Sequence, residues 1–291
     1  MTQAGAAGAE WRTARTRLHL DRTRIIGILN VTPDSFWDGG RHAGVAAAVA
    51  HAGRMLEDGA DLLDVGGEST RPGAAPVAAA AEIARVVPVV QALAERWPAL
   101  PISVDTTKAT VAEAALAAGA SVINDVSGLR LDGALGGVIA AAGAGVILMH
   151  SRGDVATMAG YELAEYGADP VETVCAELAE SVARARAAGI PDAAIVLDPG
   201  LGFSKRTAHS VAVLAGLERV RALGYPVLVG PSRKRFVGEL AGGLGPEARL
   251  EGTIAACVAA TLAGARLVRV HDVGAVHRAL AVADAVRAAR S

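Results

Sequence analysis

The stretch AAGASVIND, Ala117–Asp125, contains the unit from which the whole chain is built. An alanine-rich segment ends at a glycine, which can take the left-handed conformation that closes a helix. An apolar β-branched run follows and finishes in two polar side chains. The same join recurs as AAGAGVILM at Ala141–Met149 and LAGARLVRV at Leu262–Val270. Strands that are apolar on both alternating faces are buried on both sides, as in a parallel sheet whose strands are connected by helical crossovers.

Working outward, strands are expected at Arg24–Leu29, Leu62–Val65, Ile102–Val104, Ser121–Asn124, Gly145–Met149, Ile195–Leu197, Val227–Val229 and Leu267–Val270. Helical periodicity fills the intervals at Val45–Asp58, Val77–Arg96, Lys108–Ala118, Gly133–Ala142, Pro170–Ala188, Ala208–Leu223, Gly252–Ala263 and Val273–Arg290. Gly59, Gly119, Gly143, Gly189, Gly224 and Gly264 stand where helices should stop. Eight β/α units point to an α/β fold of the closed (β/α)8 TIM barrel type, and 291 residues suit one such domain. Trp11–Asp21 alternates weakly and is expected to form a short hairpin on the barrel floor. Residues 1–10 lack patterning and are expected to be disordered, which leaves 11–291 as the barrel.

A formal net charge of −2 gives no whole-molecule attraction for nucleic acid or an anionic membrane, so any anionic ligand must be caught by a local basic cluster. Uncharged stretches such as Thr253–Ala265 are too short to span a bilayer, and the N-terminus has no compact apolar run of the secretory kind. Cys175 and Cys257 each lie in an alanine-rich helical pattern, which reads as small buried residues in a reducing, cytoplasmic compartment.

In a barrel of this type the chemistry lies where strands end. Here those ends carry NVTPDSF from Asn30, DVGGESTRPG from Asp64, DTTK from Asp105, NDVSG from Asn124, MHSRG from Met149, DPGLGF from Asp198, SRKRF from Ser232 and RVHDV from Arg269. The opposite ends offer only glycine and alanine turns. Five of these phrases, NVTPDSF, GGESTRPG, DPGLGF, SRKRF and RVHDV, in this order and spacing resemble the dihydropteroate synthases, over nearly all of Arg24–Ala283. The resemblance implies that a pterin diphosphate and p-aminobenzoate are joined with Mg²⁺ assistance in a cytoplasmic homodimer. It implies no nucleic-acid or membrane partner.

It also implies roles. Asp105, Asn124 and Asp198 resemble the pterin-binding carboxylates and their amide partner, and a carboxylate can accept two neighbouring N–H groups of an aminopyrimidinone edge. Lys234 would donate to the pterin, with Met149 and Phe203 flanking its ring. Asn30, Arg269 and His271 would hold the diphosphate, and Asn30 offers Mg²⁺ a hard oxygen. Asn30, Asp105, Lys234, Arg269 and His271 are thus the residues expected to carry the reaction. Ser232 would meet the p-aminobenzoate carboxylate. Asp34, Ser35 and Phe36, with Thr70, Arg71 and Pro72, resemble loops that close over the substrates.

Each residue has a plainer alternative: a helix N-cap for Asp105 and Ser232, a solvated basic run for Arg233–Arg235, a core aromatic or thioether for Phe203 and Met149, a satisfied barrel imidazole for His271, and a turn residue for Asn30. Trp37, Arg152 and the phrase FSKRTAHS depart from the family pattern, and Trp37 falls where the p-aminobenzoate pocket and its sulfonamide contact are expected. A pterin-dependent methyltransferase would lack a diphosphate cluster, while a silent pterin-binding paralogue would lose part of the loop set. No general base is evident near the arylamine, which points to a loose, dissociative displacement. The alanine-rich Ile254–Ala263 is expected to face the dimer interface.

Overall fold

Eight parallel strands form the centre of the structure, a computed structural model that describes residues 10–32, 41–69 and 76–290. After a two-stranded hairpin, β1 (Glu10–Arg12) and β2 (Arg17–His19), come β3 (Arg24–Asn30), β4 (Leu62–Gly66), β5 (Ile102–Asp105), β6 (Val122–Asp125), β7 (Gly145–Met149), β8 (Ile195–Asp198), β9 (Leu228–Val229) and β10 (Leu267–Val270). Hydrogen bonding runs in the order β8-β7-β6-β5-β4-β3-β10-β9. A parallel bridge between Leu197 and Val227 brings β8 to β9 and completes the barrel.

The helices lie outside: α1 (Arg41–Glu57), α2 (Ala79–Arg96), α3 (Ala109–Ala118), α4 (Leu135–Ala141), α5 (Pro170–Ala187), α6 (Thr207–Ala215), α7 (Leu217–Arg221), α8 (Arg235–Leu240), α9 (Leu250–Leu262) and α10 (Val273–Ala288). The expected helix at Ala208–Leu223 is divided in two at Gly216, and α8 begins within SRKRF, at Arg235, where no helix was expected. All six helix-stopping glycines have positive φ, from 60° at Gly143 to 121° at Gly119. At Gly119 a side chain would also collide with Ala94, its Cβ meeting Ala94 Cβ at 2.6 Å.

The barrel floor is closed by the N-terminal hairpin. Trp11 is fully buried and its indole N–H donates to the Ala194 carbonyl at 2.8 Å. It packs with Leu20, Ile26, Leu62, Val122, Ile147, Val196, Leu228 and Leu267, the inward side chains near the start of the strands. With the floor plugged by apolar groups, the opposite end is left for polar chemistry. The expected disorder of the N-terminus falls on residues 1–9, outside the described residues, whereas Glu10 already belongs to β1. Among the described residues no helix is long and apolar enough to cross a membrane.

Candidate active site at the barrel mouth

At the carboxyl ends of the strands the polar residues converge as the sequence required, but around an aspartate that the motifs did not single out. Asp64 stands in the middle of β4, fully buried among Leu62, Leu63 and Val65. Its Oδ2 accepts from Arg269 Nε at 2.6 Å and from Asn124 Nδ2 at 2.9 Å. Arg269 Nη2 donates onward to Asp105 Oδ2 at 3.0 Å. The guanidinium of β10 thus spans the barrel to the carboxylates of β4 and β5. Asp64 Oδ1 is buried with no hydrogen-bond partner among the described residues.

Asp198 ends β8 on the far wall of the mouth, where its Oδ1 accepts from the Gly200 N–H at 2.7 Å. Lys234, from the turn after β9, places its ammonium 3.6 Å from the centroid of Phe203. Phe203 belongs to a small apolar cluster with Val126, Met149, Met158 and Ala159. Two carboxylates, an amide and a lysine therefore face a cup with an aromatic and thioether wall, a surface suited to a flat heterocycle bearing N–H donors.

Burial sets the protonation of this cup. It pushes Asp105 up to about 7, with Arg269 pulling the other way and the nearby Asp64 adding to the rise. It pushes Asp198 up to about 6, against the Gly200 N–H and the charge of Lys234. It pulls Lys234 down to about 7, with Arg269 adding to the fall and Asp198 and Asp105 resisting. Two carboxylates and a lysine are thus held close to neutrality, and such groups change state readily when a hydrogen-bonding ligand arrives.

His271 lies next to the cup. Its backbone N–H donates to Ser232 Oγ at 3.1 Å, and its Nδ1 lies 2.9 Å from the same oxygen. Burial, Arg269 and Arg233 hold its pKa down at about 3, so the imidazole is neutral. In the tautomer whose Nδ1 accepts from the Ser232 hydroxyl, the neutral ring carries its proton on Nε2 as a donor. The RKR run divides by function. Arg233, at φ 56°, pairs with Asp272 at 2.7 Å; Lys234 enters the cup; Arg235 stacks 3.6 Å from the Tyr161 ring.

Neither Asp105 nor Ser232 caps a helix. The residue preceding α3 is Lys108 and that preceding α8 is Lys234, while the side chains of Asp105 and Ser232 are engaged by Arg269 and His271. Asn30 ends β3 in register with Gly66. A Cβ built on Gly66 would lie 3.7 Å from Asn30 Oδ1 and 3.8 Å from Asp105 Cβ, so Asn30 and Asp105 flank this glycine. Among the described residues no group of three His, Cys, Asp or Glu side chains could hold a metal ion. One neutral amide oxygen fits only an ion whose remaining ligands are water and substrate, which is the habit of Mg²⁺. Asp34, Ser35, Phe36, Trp37, Thr70, Arg71 and Pro72 lie outside the described residues.

Besides Asp64, motif reading passed over Glu68 and Lys108. Lys108 Nζ bridges Glu68 at 2.7 Å and the fully buried Glu82 at 2.6 Å, while Glu68 Oε1 accepts from the Val77 N–H at 2.6 Å. The available signal was a charge inside otherwise apolar or glycine-rich text: Asp64 in LLDVG and Glu68 in GGES. A groove of about 1,100 Å³ lies elsewhere, between α1 and α2 along Val45, Val49, Pro88 and Trp97. None of the groups just described lines it, so the mouth is the better candidate for the site.

Fold and site together define a TIM-barrel enzyme that grips a planar nitrogen heterocycle beside a cationic strand end. Residues 26–271 match the model of the pterin binding enzymes. A dihydropteroate synthase of Escherichia coli is 44% identical over 275 residues, 94% of this chain and 95% of that protein. The solved dihydropteroate synthase of Xanthomonas albilineans with 4-aminobenzoic acid superposes with a TM-score of 0.89 at 48% identity, covering 97% of this chain and 99% of that one. The same enzyme in complex with 7,8-dihydropteroate gives 0.85 at 46%, covering 96% and 99%. The chain belongs to the pterin binding enzymes, in the dihydropteroate synthase family.

Proposed function

We propose that this protein condenses 6-hydroxymethyl-7,8-dihydropterin diphosphate with p-aminobenzoate, giving 7,8-dihydropteroate and diphosphate. The observation that carries this reading is the Arg269 bridge between Asp64 and Asp105. It sets a guanidinium between two carboxylates at the barrel mouth, on the strand that His271 directly follows, which supports one element serving both heterocycle and leaving group.

Asp105 and Asp198, with Asn124, receive the pterin edge; Lys234 donates to its carbonyl and ring nitrogen; Met149 and Phe203 cover its face. Arg269 and the Nε2–H of His271 meet the diphosphate, and Ser232 keeps that imidazole oriented. A bound polyanion would raise His271 from its low value toward protonation and so strengthen the contact as charge builds on the leaving group. Asn30 would hold Mg²⁺, which when bound supplies further charge stabilisation to the diphosphate. The arylamine is nucleophilic while neutral and needs no base, which supports a loose displacement with positive charge developing on the pterin. Asp34, Phe36, Thr70, Arg71 and Pro72 would complete the p-aminobenzoate side.

We further take 11–291 as one domain, the compartment as the cytoplasm, where free thiols such as Cys175 and Cys257 persist, and the assembly as a homodimer. Val282 and Val286 of α10 are exposed and offer an apolar face next to α9 for such a contact.

The test is direct: purified protein with the dihydropterin diphosphate, p-aminobenzoate and Mg²⁺ should form dihydropteroate and release diphosphate. Pterin binding without turnover would instead indicate a silent paralogue, and methyl transfer a different reaction.

A further inference from the structure

Next to the cup, around the turn that follows β8, lies a second charged network that the reaction does not use. Lys205 is one of the largest fully buried side chains in the molecule, 1% exposed. Its ammonium donates to the Gly200 carbonyl at 3.1 Å, to the Phe203 carbonyl at 3.2 Å and to His150 Nδ1 at 2.7 Å. Three donors meet three acceptors. His150 Nε2 continues to Glu177 Oε2 on α5 at 2.9 Å, and Glu177 is clasped in turn by Arg152 at 3.1 Å.

Gly200 and Phe203 bound the turn after β8. That turn is tightly constrained: Gly200 and Gly202 have φ of 64° and 77°, Ser204 has φ of 46°, and a Cβ on Gly200 would sit 2.0 Å from the His150 carbonyl oxygen. The same Gly200 presents its N–H to Asp198 Oδ1. A displacement of Gly200 therefore reaches Asp198, and one of Phe203 reaches both the cup wall and Lys234. A buried ammonium is costly compared with an apolar side chain of similar length, so packing alone does not account for a lysine here.

We propose that Lys205 is a positioning residue for the heterocycle. By gripping both ends of the Gly200–Phe203 turn and bracing it through His150 and Glu177 against α5, it fixes the carboxylate of Asp198 and the ring of Phe203 relative to each other. It touches no substrate. The inference rests on the proposed pterin-binding role of Asp198 and Phe203.

The experiment compares the full-length Lys205→Met, His150→Leu and His150→Asn variants with the wild type, each first checked for a cooperative thermal transition. Steady-state kinetics then yields separate KM values for the two substrates, and calorimetry yields the affinity for a 6-hydroxymethylpterin probe. Lys205→Met should weaken the pterin side about tenfold or more while leaving the p-aminobenzoate KM within about twofold. His150→Leu removes the third acceptor and should follow it. His150→Asn can return an amide oxygen near the Nδ1 position and should restore pterin binding. Unchanged pterin affinity in Lys205→Met overturns the proposal, as does an equal loss on both substrates. If Lys205→Met does not fold, the histidine pair decides: identical Leu and Asn variants overturn it. A wild type that binds the probe but makes no dihydropteroate would refute the proposed reaction, and the calorimetric comparison would still decide the role of Lys205.

Discussion

Arg269 Nε lies 2.6 Å from Oδ2 of Asp64, a fully buried aspartate whose other oxygen meets no partner among the described residues. A guanidinium shared between Asp64 and Asp105 is held in one orientation, and removing one member of such a set leaves the others uncompensated. Asp64→Ala should destabilise the protein by about 3–5 kcal/mol in urea unfolding. Asp64→Asn, which keeps the shape and loses the charge, should fold and raise the pterin KM more than the p-aminobenzoate KM. Wild-type kinetics in Asp64→Asn would remove Asp64 from the site.

Protonation should be visible in binding. Asp198 must be ionised to accept from a pterin, and burial raises it to about 6 in the free protein. Pterin affinity should therefore fall as pH drops from about 7 through about 6, as first Asp105 and then Asp198 take up protons. Calorimetry at pH 6 in buffers of different ionisation enthalpy should show net proton release on binding, to which Asp198 contributes about half a proton and Asp105 more. The raised value also affects folding. The unfolded carboxyl titrates near its ordinary 3.8, so burial of Asp198 costs nothing below that pH, and its full cost is present above about 6. Binding enthalpies that do not change with buffer would contradict the assignment.

Ser232 offers a choice between two contacts. Its hydroxyl is engaged by His271, whereas the family resemblance places it at the p-aminobenzoate carboxylate. Ser232→Ala should weaken diphosphate as a product inhibitor about tenfold, since the imidazole loses its orienting donor. A change confined to the p-aminobenzoate KM would favour the other contact.

Magnesium should depend on substrate. With Asn30 the one proposed protein ligand and no carboxylate cage among the described residues, calorimetric titration of the free protein with Mg²⁺ should give no measurable heat at micromolar ion. The same titration with diphosphate or pterin diphosphate present should give binding, reduced by Asn30→Ala. Tight binding to the free protein would disprove this arrangement.

The floor hairpin should matter for stability alone. Trp11→Ala removes a fully buried indole and its bond to Ala194, a loss of about 3–5 kcal/mol by urea unfolding. The turnover of the folded fraction should be unchanged, because Trp11 packs at the end of the barrel opposite the catalytic mouth. A specific loss of turnover would mean that floor and mouth are coupled.

The sequence by itself determined the alternation of strand and helix, the helix stops at Gly59 through Gly264 and the strand ends that carry chemistry. These follow from short-range rules: apolar period, the left-handed freedom of glycine and the exposure of strand termini in a parallel barrel. The division of α6 from α7 at Gly216 and the short α8 were not legible. The first sits in an apolar run whose period continues across the break, and the second begins within basic text that reads equally as a surface loop. Tertiary structure alone decided the partnerships. Asp64 and Arg269 are 205 residues apart, and Lys205 meets His150 from 55 residues away. Which buried charge finds which counter-charge depends on barrel closure and inward side-chain direction, and no local pattern encodes either. The motifs therefore named the groups expected to touch substrate, Asp105, Asn124, Asp198, Lys234 and Arg269, while the groups that hold them, Asp64 and Lys205, emerged only once the barrel was closed.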